Sequence, residues 1–87
     1  MINTQSILVN YLQDTLFGPL ARQSVCELGM LEGPSAERLC IYVAGPDTPA
    51  IGKAHSVSFE WDQQHYYGVV QQCRVMGEGL ALDLERG

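Results

Sequence analysis

Between residues 4 and 17 apolar side chains recur at three- and four-residue spacing. Ile7, Leu8, Tyr11, Leu12, Leu16 and Phe17 would share one face of a helix, with Asn10, Gln13 and Asp14 opposite. Asn3 or Thr4 can cap its start. Gly18-Pro19 would end it, because glycine accepts the left-handed cap conformation and proline cannot continue the ladder. The spacing predicts an N-terminal helix over residues 4–17.

After Pro19 the period shortens to two. From Ser24 to Leu31, Cys26, Leu28 and Met30 fall on one side while Ser24 and Glu27 break any helical stripe, and Gly33-Pro34-Ser35 has turn chemistry. Arg38 to Ala44 is a β-branched and aromatic run, expected to be covered on both faces. Gly45-Pro46-Asp47-Thr48-Pro49 reads as a loop, since two prolines and a glycine forbid a regular ladder. From His55 to Trp61 the alternation is clean, with Val57, Phe59 and Trp61 on one side. If Gln63-Gln64 forms the turn, Trp61 lies opposite Tyr66, Phe59 opposite Gly68 and Val57 opposite Val70. A longer turn would change that register. Met76-Gly77-Glu78-Gly79 turns the chain again, and Leu80, Leu82 and Leu84 face inward from a last strand.

A helix followed by closely spaced strands predicts a mainly β fold: a five- or six-stranded antiparallel β-barrel over residues 21–86, in one domain spanning 1–87. Closure removes the exposed edges that an open sheet would leave. The apolar helix stripe then either plugs one end of the barrel or meets another chain. Its interaction face would be Tyr11, Leu12, Leu16 and Phe17, a surface suited to a protein partner or to a homodimer.

Composition narrows the functional classes. The 87 residues are 46% hydrophobic and 17% charged, an ordinary globular balance, with a net charge of −5. That charge repels phosphate backbones and argues against general nucleic-acid binding. No apolar run approaches the roughly 20 residues of a membrane-spanning helix, and the first residues lack the pattern of a secretory signal. Three cysteines without a C-x-x-C pair, Cys26, Cys40 and Cys73, suit a reducing compartment. The expectation is a cytoplasmic protein with no membrane partner, whose cysteines act as small buried hydrophobes.

The strand order, with Gly33-Pro34-Ser35-Ala36-Glu37-Arg38 leading into Leu39-Cys40-Ile41, resembles the PilZ domain, a bacterial β-barrel family that typically receives cyclic di-GMP. Gly52-Lys53-Ala54-His55-Ser56-Val57-Ser58-Phe59 resembles its middle strand, and Gly68-Val69-Val70 and Gly79-Leu80-Ala81-Leu82 its last two. The likeness covers about residues 21–86. It implies ligand contacts at Arg22, Ser35 and Arg38, but this chain departs from the family grip. The usual Arg-x-x-x-Arg has Cys26 in place of the second arginine, and the turn has Gly33 and Arg38 where the family places an Asp or Asn and a glycine. A second stretch, Asp47-Thr48-Pro49-Ala50-Ile51-Gly52, keeps the Asp and the Gly but has proline for the serine. Charge-assisted hydrogen bonds contribute roughly 1.5–3 kcal/mol each. Losing two would weaken a micromolar ligand toward millimolar, at about tenfold per 1.4 kcal/mol.

No catalytic constellation assembles from the sequence. His55 and His65 have no converging third ligand, so neither a metal nor a cofactor is expected. Cys73 could face His55 across the strands, but nothing marks an oxyanion hole. Glu60 and Asp62 point away from the aromatic face. Tyr66-Tyr67 with Arg74 offers stacking and charge for a nucleotide, which cross-strand packing explains equally well. The sequence therefore predicts a non-enzymatic binding, adaptor or regulatory domain with a PilZ-like barrel that engages protein and does not bind cyclic di-GMP. A true cyclic-di-GMP receptor and an Sm-like RNA-binding ring are the alternatives.

Overall fold

A computed structural model describes residues 3–32 and 37–86. Six strands form it: β1 (Gln5–Thr15), β2 (Gly18–Met30), β3 (Arg38–Ala44), β4 (Ser56–Trp61), β5 (Gln64–Met76) and β6 (Gly79–Arg86). One short helix, α1 (Thr48–Gly52), lies between β3 and β4. The strands close into an antiparallel barrel in the order β1-β2-β3-β6-β5-β4. Two three-stranded meanders are thus joined along two seams, β3–β6 and β1–β4.

The expected N-terminal helix over 4–17 is a strand. Ile7, Val9 and Tyr11 also alternate, and β2 supplies a partner for every residue of β1, from Gln5 opposite Leu28 to Thr15 opposite Gly18. Hydrogen bonding along that whole ladder, with Val9 and Tyr11 buried in the core, overrides the weaker helical stripe. Gly18-Pro19 is accordingly the far side of a hairpin turn and not a helix stop. Gly18 takes φ +105, and the Thr15 hydroxyl donates to the Gly18 carbonyl at 2.6 Å.

The helix that does form falls in the stretch read as a loop. Pro49 sits in its first turn, where the missing N–H costs nothing. The Thr48 hydroxyl donates to the Gly45 carbonyl. Ile51 is fully buried in the core, so α1 closes the barrel in the role the sequence suggested for the N-terminal segment.

The β4–β5 register also differs from expectation. Trp61 pairs with Gln64, Phe59 with Tyr66 and Val57 with Gly68, because the two turn residues are Asp62 and Gln63. Both have positive φ, 51 and 66, as the twist of a tight hairpin demands. Each partner on β5 moves by two residues, an even shift, so Val57, Phe59 and Tyr66 still point inward. Phe59 stacks on Tyr66 with centroids 5.6 Å apart, and the Arg86 guanidinium lies 5.2 Å from the Tyr66 centroid on the adjoining strand.

Two hairpins outrun the barrel. β1 pairs with β4 only over Asn10–Leu12, and β2 with β3 only over Glu27–Met30, so the end of the β1–β2 hairpin projects. β5 likewise extends past β4, beyond the irregularity between Val70 and Gln72. The molecule measures 39 × 28 × 23 Å. No helix is long and apolar enough to cross a membrane among the described residues.

Candidate functional site

The projecting hairpin ends in Leu16 and Phe17, the two residues of its turn. They are 100% and 99% exposed. The Phe17 N–H donates to the Thr15 hydroxyl at 3.2 Å, so the turn is held by its own polar side chain while both apolar ones point into solvent. Leu8 and Val25, a cross-strand pair on the outer face of the same hairpin, are also exposed. The four residues expected to form one interaction face are therefore divided. Tyr11 is 4% exposed and belongs to the core, Leu12 is half-buried on the outer face, and only Leu16 and Phe17 are free to meet a partner. Pairing of two copies through an N-terminal helix has no helix to use.

Nearer the barrel, the outer faces of β2, β1, β4 and β5 meet in an open groove of about 570 Å³. Register fixes which side chains present themselves there. Tyr67 pairs with Ser58, Ser58 with Asn10, and Asn10 with Gln23, making one continuous polar row across four strands. The adjacent outward row, Val69, Ser56, Leu12 and Ala21, is largely apolar. Arg22 also lines the groove, but by alternation it stands in the row of Tyr11 and Val57.

Two members of the ligand set that the PilZ resemblance implied, Arg22 and Arg38, stand apart. Ser35 lies outside the described residues, as does the Gly33-Pro34-Ser35 turn. Met30 pairs with Ile41, so Arg38 lies past the Met30 end of β2, while Arg22 is eight residues away in the other direction. Eight residues of strand alone span about 26 Å. Arg38, at the β3–β6 seam opposite Glu85, lies beyond the Met30 end of β2, whereas Arg22, beside the groove, lies within the strand.

The remaining polar candidates are dispersed. The His55 carbonyl accepts from Val70 at 3.0 Å, whereas Cys73 pairs with Leu82, so the two do not face each other. His55 instead lies 3.8 Å from Asp14, and Arg74 lies 4.0 Å from Asp83; both pairs are solvent-exposed and contribute little to stability. His65 pairs with Glu60 beside the hairpin turn. Among the described residues no three His, Cys, Asp or Glu side chains cluster as metal ligands.

The cysteines divide as well. Cys26 and Cys40 are buried and Cys73 is exposed, against the expectation that all three are buried hydrophobes. Burial raises the Cys26 thiol, with the Ser24 hydrogen bond opposing. Burial, reinforced by hydrogen bonding to Asp83 and by its charge, pushes Cys40 up to about 11. Only a thiolate attacks a disulfide reagent. Native protein at pH 8 is therefore expected to titrate rapidly at Cys73 alone, with Cys26 and Cys40 reacting after denaturation. A native Cys73→Ser variant that still reacts rapidly would refute this assignment.

The groove residues Asn10, Gln23, Ser58 and Tyr67 carry no local motif, since each comes from a different strand and only the barrel register assembles them. Comparison with protein-family models, curated proteins and solved structures finds no match for this chain.

Proposed function

We propose that this chain is a non-enzymatic binding domain, with a PilZ-like split barrel as its scaffold, that docks onto a protein through the tip of its β1–β2 hairpin. The observation that carries the reading is the exposure of Leu16 and Phe17, 100% and 99%, at the end of a hairpin that projects from the barrel. Burying a leucine or phenylalanine contributes roughly 1.5–3 kcal/mol. Two such anchors on a preorganised turn supply the centre of an interface at small entropic cost.

A membrane is a poorer receptor for this tip. Residues 13–20 contain Asp14 and no cation, and the chain carries −5 overall, so an anionic surface gives no attraction. A cyclic-di-GMP site is disfavoured by the separation of Arg22 from Arg38. An RNA-binding ring is disfavoured by the acidic charge. A cytoplasmic setting fits the three free cysteines.

Site-specific photo-crosslinking in cells tests the proposal. A photoreactive residue at Phe17 is expected to yield a discrete protein adduct, either with another protein or with a second copy of the chain. The same residue at Glu78, on the β5–β6 turn, serves as the control. Equal or absent adducts at the two positions would overturn the assignment. Leu16→Ser with Phe17→Ser should abolish the adduct formed from a neighbouring position, Gln13, while changing folding stability by no more than about 0.5 kcal/mol, as surface substitutions do.

A further inference from the structure

The groove has chemistry of its own that the hairpin tip does not share. Tyr67, Ser58, Asn10 and Gln23 stand side by side across β5, β4, β1 and β2, one strand spacing apart. Three such spacings make the row about 14 Å long. Among the described residues none of the four makes a side-chain hydrogen bond. Each carboxamide has donors and an acceptor, and each hydroxyl can do both. The row therefore presents mixed donors and acceptors at regular spacing, with a tyrosine ring, 44% exposed, at one end.

The second row adds an apolar strip at Leu12 and Ala21. The row itself carries no charge: Arg22, which lines the groove, belongs to the alternate row, and Glu60 follows Ser58 one step further along the outward face. An apolar segment such as Leu16-Phe17 of another copy would strand the four polar side chains without partners, which is costly. A cation would find no carboxylate among the lining residues, and an anion only Arg22 beside the row.

A ligand matched to the row needs no charge, must offer donor and acceptor together at each position, and must have a flat apolar face for the tyrosine. Vicinal hydroxyls on a pyranose ring meet all three demands: a carboxamide can donate to one hydroxyl while accepting from its neighbour, and the C–H face of the ring lies against the aromatic. We propose that this groove binds a short neutral oligosaccharide, with Tyr67 as the stacking platform and Asn10, Gln23 and Ser58 as the hydroxyl contacts. The volume of about 570 Å³ lies within the range of small-ligand sites. The open shape and the water that must be displaced predict weak binding, at about millimolar Kd.

Titration of the isotope-labelled full chain with maltotriose, cellotriose and chitotriose, followed by amide spectra, tests the assignment. At least one sugar is expected to shift the Asn10 and Gln23 side-chain amides saturably. Tyr67→Ala and, separately, Gln23→Ala should each weaken that binding about tenfold or more, while the backbone spectrum away from the groove stays unchanged. Three results would overturn the proposal: no saturable shift with any of the three up to about 20 mM, saturable shifts confined to another surface, or an unaltered titration in both variants. A neutral Ser/Ala hexapeptide is the competing probe, and stronger saturation of the same amides by it than by any sugar would assign the groove to polypeptide instead. The hairpin-tip crosslink does not depend on this groove, so either reading can fail alone.

Discussion

Phe59→Ala is expected to leave the chain unfolded, or nearly so, at physiological temperature. Phe59 is 1% exposed and is among the largest fully buried side chains. Truncating a buried phenylalanine costs about 3–5 kcal/mol from lost transfer energy and the cavity left behind. The Tyr66 stack adds roughly 0.5–1.5 kcal/mol, and its loss also loosens the ring on which Arg86 rests. Folded domains hold about 5–15 kcal/mol in total, and a barrel this small has little surplus. Each kcal/mol corresponds to roughly 4–8 °C in a domain of this length, so thermal melting followed by circular dichroism should show Tm falling by about 15 °C or more. Phe59→Leu retains most of the volume and should recover at least half of that loss. A Phe59→Ala protein melting within a few degrees of the parent would mean that the β4–β5 aromatic pair is not at the centre of the core.

The parts of this fold legible in the sequence are those whose signal is local. Val57, Phe59 and Trp61 alternate with polar residues, and alternation is sufficient to name a strand and its inner face. Arg38–Ala44 reads as a covered strand because its apolar residues are contiguous, and Leu39, Cys40, Ile41 and Val43 are indeed buried. Residues 5–15 were ambiguous for a physical reason. Ile7, Leu8, Tyr11 and Leu12 satisfy a helical stripe, and together with Val9 they also make a strand with apolar residues on both faces. Their conformation is decided by β2, a partner whose pairing no short window contains. The Asp62-Gln63 turn was misplaced by one residue because neither amino acid is a strong marker of positive φ.

The groove was invisible for a related reason. Tyr67, Ser58, Asn10 and Gln23 are unremarkable in their own segments, and their proximity exists only after three strand pairings have been fixed. Leu16 and Phe17 illustrate the converse. The sequence placed them on an apolar stripe that either plugs the barrel or meets another chain, and they stand exposed on a hairpin turn instead of a helix. Hydrophobicity in excess of what the core can take is readable from composition along the chain. The geometry that displays it is not.

Gly79→Ala tests how the barrel itself is held closed. Gly79 opens β6 and pairs with Met76 across the β5–β6 turn. A Cβ on it would run into the Val43 carbonyl oxygen and would lie 2.8 Å from Cζ and Oη of Tyr42. The tyrosine ring can rotate away, but Val43 is a fully buried residue of β3 paired with Leu80, and its backbone can retreat only by leaving the β3–β6 ladder. Overpacking of this kind costs typically 1–3 kcal/mol and occasionally more, and here it falls on a seam. The two meanders are joined by six register pairs at β3–β6 but by only three at β1–β4. Opening the longer seam leaves the shorter one unable to hold the sheets together. Native-state hydrogen exchange should therefore show protection lost first at Leu80 and Leu82, with Ile7 to Tyr11 retaining theirs. Gly77→Ala, at a turn position with open space around it and φ +60, is the control and should cost only about 1 kcal/mol through backbone strain. If the two variants destabilise equally and β3–β6 exchange is unchanged in both, closure of the barrel does not depend on this contact.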